Sequence, residues 1–389
     1  MTTAPAPDRV ALTALSLRDL RNYASLNVAF GATPVALTGP NGAGKTNLLE
    51  AISLLTPGRG LRRASFEEIA RDGSPGAWAV AATLDRNGEE TRLGTGLAEG
   101  PSGEARTRKV RINGAPATGA DALLDYLRLL WLTPAMDGLF TGPAGERRRF
   151  LDRLVLTVDA AHGRRAREFE RLLTQRNRLL EEGGNASWLD AVEAELSERA
   201  VAVALARAET ATLLSARMGR HAEDAAAFPV GRIALSGDFD AALAERSAAE
   251  AEVWYRRLLT ESRPADRAAG RALSGPHRSD LEVVLAEKNM PAAKSSTGEQ
   301  KALLIGLVLA HAELVAEVSG MTPVLLLDEV AAHLDPGRRI ALFDRLTALG
   351  SQAFMTGTDP ILFEALRGSA EMFRVADNNV VRMEGENPS

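Results

Sequence analysis

The 389-residue chain has no cysteine, which excludes disulfides and any zinc site built on thiolates. Histidine is scarce: His162, His221, His277, His311 and His333 are scattered without metal-ligand spacing and read as structural. Positive charge is not in excess. The formal net charge is −5, which on its face disfavours a polyanionic partner. The apolar run 302–310 is far too short to cross a bilayer. The opening MTTAPAPDRV is polar and broken by proline, unlike a secretory signal. These absences point to a cytoplasmic protein with no membrane partner. The length leaves room for two domains, or for one large domain with an insertion.

Three stretches carry chemistry. Gly39-Pro-Asn-Gly-Ala-Gly44-Lys45-Thr46 fits G-x-x-x-x-G-K-[ST], with the apolar run Val35–Leu37 before it and the helical pattern Leu48, Leu49, Ile52, Leu55 after it. In such a loop the N–H groups wrap a phosphate, the lysine reaches the outer phosphates of ATP, and the Thr46 hydroxyl can hold Mg²⁺. The second stretch, PVLLLDEVAAHLDP (323–336), is a continuous apolar run ending in two acids, as expected of a buried parallel strand with functional groups at its carboxyl edge. Asp328 there is a Mg²⁺ ligand through water, and Glu329 the group that polarises an attacking water. The third is Ser295-Ser296-Thr297-Gly298-Glu299, opening into a long apolar helix. It reads either as a second anion-binding helix start or as an ordinary N-cap with Glu299 closing a capping box.

Charge is unevenly spread. Arginines crowd 147–178, a smaller basic group (Arg106, Arg108, Lys109, Arg111) precedes an Asn113-Gly114 hairpin signal, and Arg59, Arg62 and Arg63 follow the phosphate loop. Each group is either a surface facing nucleic acid or a solvated face with its own acidic partners. Residues 10–40 read as strand-rich and 75–118 as a meander. Residues 145–225 read as helical, with a turn at 181–187, so that two arm helices of about 25 to 30 residues, each reaching roughly 40 Å, form an antiparallel hairpin. A short strand near 230–236, a helix near 247–261 and a strand at 281–286 follow. The expected fold is α/β, a P-loop ATPase head with mixed sheets interrupted by a helical lobe with a short antiparallel arm. The halves of the head are drawn at 8–145 and 273–385, with the lobe at 146–272.

The order of the motifs resembles the ABC class of ATPases, in which a signature loop caps the ATP held by a second subunit. It is similar in particular to the RecF family, related to SMC heads, on LRDLRNY (17–23), GPNGAGKTNLLEAI, KVRING, GERRRFLDR (145–153), GPHRSDL (275–281), STGEQK and LLLDEVAAHLD. The resemblance covers about residues 10 to 380. It implies ATP and Mg²⁺ as cofactors, an ATP-dependent homodimer, and binding to duplex DNA and to single/double-strand junctions at gaps. It further implies a weak DNA-stimulated ATPase that cooperates with RecR, and indirectly with RecO and RecA, in recombinational repair. Carried over, Asn41, Gly42, Ala43, Gly44, Lys45, Thr46 and Asn47 belong to the phosphate loop, and Arg21 and Asn22 lie beside the nucleotide. Ser296 and Gly298 form the signature loop, Asp328 serves the metal, Glu329 activates water, and Asp335 crosses the dimer interface. The chain departs from the ABC pattern at Pro134-Ala135-Met136-Asp137, where most heads carry a glutamine, at Thr358, where many carry a histidine, and at Glu299. Slow hydrolysis is expected. An ABC transporter ATPase subunit would share the loops but not the arginine-rich insertion. A longer-armed SMC-type protein would need a far longer heptad insertion, and a non-enzymatic DNA-binding module would have no need of Glu329.

Overall fold

The protein is described from a computed structural model over residues 6–98, 107–220 and 227–383, so Arg106 and His221 lie outside the described residues. The chain opens with strands β1 (Val10–Leu20), β2 (Tyr23–Ala29) and β3 (Val35–Thr38), then helix α1 (Lys45–Ser53). A meander follows: β4 (Trp78–Arg86), β5 (Glu89–Leu97), β6 (Arg108–Ile112) and β7 (Ala115–Pro116), leading to β8 (Leu129–Leu132). Helices α2 (Ala144–Val158), α3 (His162–Glu181) and α4 (Ala186–Arg220) come next, then β9 (Gly231–Ser236), α5 (Asp238–Ala244) and α6 (Ala248–Ala269). The last part is β10 (Asp280–Leu285), β11 (Met290–Pro291), α7 (Thr297–Ser319), β12 (Val324–Leu327), α8 (Pro336–Leu349), β13 (Ala353–Gly357), β14 (Glu371–Ala376) and β15 (Asn379–Arg382).

Two compact units result, Met1–Asp137 with Val308–Ser389, and Gly138–Leu307. The first holds two six-stranded sheets, ordered β2-β1-β4-β5-β6-β7 and β15-β14-β3-β13-β12-β8. In the second of these sheets β14, β3, β13, β12 and β8 run parallel, and β15 adds an antiparallel edge. All four residues of β3 and of β12 are buried, which is why both read as unbroken apolar runs instead of alternating ones. The antiparallel sheet is closed by tight turns at Asn87-Gly88 and Asn113-Gly114, whose positive φ values of 53°, 90°, 50° and 82° match the left-handed two-residue hairpin turn. Leu37, Leu48, Ile52, Leu326, Phe354 and Phe373 are among the buried residues of this unit's core.

The second unit is built on α3 and α4, which pack together across the turn at 182–185. At 35 residues α4 runs about 52 Å, longer than the arm helix anticipated, because its buried face continues without a break from Leu189 to Met218. Helix α6 passes through Pro264 instead of stopping near 261. Tertiary contacts hold it there. The Arg176 guanidinium, fully buried, bonds Glu193 at 2.8 Å, Asp266 at 2.7 Å and the Leu259 carbonyl at 2.7 Å. Strand β10 joins β9 and β11 in a three-stranded antiparallel sheet of this unit, so the compact division falls at 307/308 whereas the sequence boundary was drawn at 272/273. Arg147 ties α2 to the same sheet through two 2.7 Å bonds to Asp280. The division falls within α7. That helix is long and apolar enough to cross a membrane by composition, yet 78% of its most apolar stretch is buried within the protein, as in a core helix.

Candidate nucleotide site

The conformation of the loop between β3 and α1 is set by its glycines. Gly39 and Gly44 have φ of 153° and 106°, values that side-chain-bearing residues rarely adopt. A Cβ on Gly39 would lie 2.1 Å from the Val375 carbonyl oxygen, and one on Gly44 would lie 2.5 Å from Asn22 Nδ2 and 2.7 Å from the Tyr23 hydroxyl. Glycine is therefore required at both positions by conformation and by space. Lys45 is buried at the start of α1, its ammonium donating to the carbonyls of Gly39 at 2.7 Å and Pro40 at 2.9 Å. Burial lowers its pKa, and the Glu329 and Asp328 carboxylates oppose that shift. Asn41 and Gly42 are exposed, and Ala43 half-buried, on the open side of the loop.

At the end of β12 the chain delivers the two acids. The Thr46 hydroxyl donates to Asp328 Oδ1 at 2.9 Å and lies 3.1 Å from Oδ2, joining residues 282 positions apart. A hydroxyl against a carboxylate is the donor set suited to a hard divalent cation retaining water, so these residues fit Mg²⁺. Asp328 Oδ1 also accepts from the Thr356 hydroxyl at 2.8 Å, and that hydroxyl accepts the Glu329 N–H at 2.8 Å. Glu329 itself has φ of 54°, a left-handed conformation in a residue with a side chain. Thr356, in the fully buried β13, escaped sequence reading; its signal is a polar residue inside the apolar run AFMTG beside the Asp-Glu strand. Thr358, two residues on, is exposed, and Pro134–Met136 forms a short 3-10 turn ending at Asp137.

Arg21 and Asn22 sit differently from one another. The Arg21 guanidinium clamps the fully buried Glu50 of α1 at 2.8 and 2.6 Å and bonds the Glu68 carbonyl at 2.6 Å; the hydrogen bond to Glu50 raises its pKa. Through Glu50 it anchors α1. Arg62 bonds Glu50 at 2.9 Å and Asn47 at 2.5 Å. Asn22 accepts from the Asn47 amide at 2.6 Å and donates to Asn378 at 2.6 Å, directly against Gly44. Tyr23 closes the floor, donating to the Gly44 carbonyl at 3.2 Å, with burial pushing its hydroxyl up to about 12. Glu50 and Asn378 are the other members sequence reading passed over. Asp335 caps α8, accepting the Arg338 N–H at 2.9 Å from an exposed position.

Ser296 and Gly298 belong to the other unit, at the exposed start of α7. Ser296 and Glu299 close a reciprocal capping box: the Ser296 N–H and hydroxyl donate to Glu299 Oε2 at 2.9 and 2.7 Å, and the Glu299 N–H donates back at 3.3 Å. Lys288 pairs with the same carboxylate and, with Ser296, holds Glu299 down at about 2. The charge of Glu299 beside the loop is thus accounted for by Lys288 and the cap. Of the basic hairpin, Lys109 and Arg111 are exposed. Arg108 points inward on the Val110 side, bonding Thr95 at 2.6 Å and the carbonyls of Leu54, Thr56 and Gly58, with its guanidinium over the Phe66 ring. Burial alone brings it down to about 10. The expectation of Arg108 as a DNA contact is corrected accordingly: in RKVRI the alternation set by Val110 and Ile112 puts Arg108 on the inner face.

The model of the RecF/RecN/SMC N terminal domain family matches residues 11–381. The chain is 54% identical over 375 residues to the DNA replication and repair protein RecF of Rhizobium etli (strain CIAT 652), covering 96% of this chain and 99% of that one. It is 53% identical over 372 residues to the protein of the same name from Brucella suis biovar 1 (strain 1330), at 95% and 96% coverage. Among solved structures it resembles that of the recombination mediator protein RecF-ATPrS in the RecFOR pathway, with a TM-score of 0.85, 22% identity, and 97% of this chain and all of that one covered. It also resembles an Smc head domain with an extended coiled coil from Pyrococcus furiosus, with a TM-score of 0.53, 17% identity and 96% of each chain covered.

Proposed function

The chain belongs to the RecF/RecN/SMC family as a RecF member, and from that premise we propose that it is a DNA-dependent ATPase of recombinational repair whose two ATP sites are each shared between the subunits of a homodimer. The observation that carries the ATPase reading is the meeting of Thr46 and Asp328 at 2.9 Å, with Glu329 next in sequence and Lys45 beside both. The Lys45 ammonium donates to the loop's own carbonyls at 2.7 and 2.9 Å. That ammonium is placed to reach the outer phosphates of ATP, with the loop N–H groups taking the remaining oxygens. Thr46 and Asp328 would hold Mg²⁺, which would supply charge neutralisation to the bound triphosphate. Glu329 accepts the proton of the attacking water. Ser296 and Gly298, exposed at the α7 start, complete the partner's site, and Asp335 lies at the shared border.

The DNA surface is assigned to Lys109 and Arg111, both exposed on the basic hairpin. Pairing two such faces in an ATP-held dimer gives a net-acidic chain a groove for duplex DNA at gaps. There it acts in the cytoplasm with RecR, and through RecO, to load RecA. Family membership removes the transporter subunit as an alternative. The test separates binding from chemistry. Lys45→Ala is expected to abolish ATP binding, whereas Glu329→Gln is expected to bind ATP and accumulate as a dimer in size measurements. Equal loss of nucleotide binding in both variants contradicts the role given to Glu329.

A further inference from the structure

Glu329 is held in a conformation it would not choose. Its φ of 54° lies where a side chain crowds the following carbonyl, and such a residue persists only where its surroundings impose it. At this residue the Glu329 N–H donates a 2.8 Å hydrogen bond to the Thr356 hydroxyl. The same hydroxyl donates its own proton to Asp328 Oδ1 at 2.8 Å, and Asp328 Oδ1 accepts Thr46 at 2.9 Å. Thr356 is fully buried, and β13 lies beside β12 in parallel register with Leu327 opposite Met355. Its hydroxyl therefore sits one step along, level with Asp328. Its single proton is committed to Asp328 while an oxygen lone pair receives Glu329, so its position is fixed from both sides.

We propose that Thr356 is a positioning residue for ATP hydrolysis: its hydroxyl fixes the backbone that aims Glu329 at the attacking water and holds the Asp328 carboxylate toward Thr46. The inference rests on the reading of Thr46, Asp328 and Glu329 as the ATPase site. Through Thr356, a change at the Asp328 carboxylate reaches the Glu329 backbone across two hydrogen bonds, without passing through the side chain of Glu329.

The experiment compares Thr356→Val, Thr356→Ala and Thr356→Ser with wild type and Glu329→Gln. Four quantities are measured: ATP affinity, single-turnover hydrolysis, thermal midpoint, and amide hydrogen exchange of the peptide containing Glu329. Valine keeps the shape and removes both bonds; alanine serves where valine does not fold; serine retains the hydroxyl. In Val or Ala variants hydrolysis is expected to fall about tenfold to a hundredfold, the scale of a misaligned catalytic group. ATP affinity should stay within about twofold, the mark of an interaction needed for chemistry and not for binding. The Glu329 amide should exchange faster, and Ser should restore both rate and protection. Wild-type hydrolysis in Val or Ala, with Glu329→Gln inactive, overturns the proposal while leaving the site reading intact. Losses in Val, Ala and Ser that merely follow thermal stability overturn it too. Wild-type hydrolysis in Glu329→Gln overturns both.

Discussion

At the scale of single residues, the site is assembled from groups whose hydrogen-bonding capacity is already spent, and what each is spent on separates function from scaffolding. Lys45 rests on two carbonyls that a phosphate can replace. Arg108 rests on the carbonyls of Leu54, Thr56 and Gly58, and those of Leu54 and Thr56 are shielded from solvent. Arg108→Ala removes that donor and is expected to cost about 1–3 kcal/mol of stability, read as a lowered denaturation midpoint. DNA affinity per folded molecule should not change. Lys109→Ala with Arg111→Ala should do the reverse, sparing stability and flattening the dependence of duplex affinity on log salt by about 0.9 for each phosphate no longer neutralised. A reduced salt slope in Arg108→Ala alone would put that side chain back on the surface.

Among the elements, α2, α3 and α4 of the helical unit are joined by an ion-pair network, alongside the apolar packing of α3 and α4. Asp152 of α2 accepts Arg207 of α4 at 2.7 and 2.8 Å and His162 of α3 at 2.8 Å, while Arg207 also bonds the Pro276 carbonyl at 2.6 Å. Burial would raise the Asp152 carboxyl, but His162 and Arg207 hold it at about 2, below its ordinary 3.8. A carboxylate depressed in the folded state stabilises fully above its unfolded value, and that contribution disappears as pH falls through the folded one. Stability of the wild type should therefore decline between about pH 4 and pH 2 more steeply than in Asp152→Asn. At neutral pH that variant, with Arg207 left buried and without its carboxylate, should lose about 3 kcal/mol. Parallel acid limbs in the two proteins would remove Asp152 from this account. The same elements show what the sequence made legible. The phosphate loop, the Asp-Glu strand, the Asn113-Gly114 hairpin and β9 were readable because their signals are local: glycine spacing, an unbroken apolar run, a two-residue turn. The course of α6 through Pro264 was not, because a distant arginine on α3 decides it. Nor was the pairing of β10 with β9, since an apolar strand does not say which sheet receives it. Thr356 and Glu50 were missed for the same reason: each owes its role to a partner far away in sequence. The Ser296–Glu299 box was one of two open readings, and the structure contains that cap.

For the whole molecule, the proposed function requires two subunits that share each nucleotide, Lys45 from one and Ser296 from the other. The direct measurement mixes two inactive proteins, one Lys45→Ala and the other Ser296→Arg, and follows phosphate release. Each variant alone lacks every complete site, while a mixed dimer has one, built from the intact Lys45 of one subunit and the intact Ser296 of its partner. Random equimolar pairing makes half the dimers mixed, so about one quarter of the wild-type number of sites should reappear, and ATPase activity should return in that proportion. Mixed dimers that form, as shown by differently tagged subunits, yet release no phosphate would contradict a site shared between subunits.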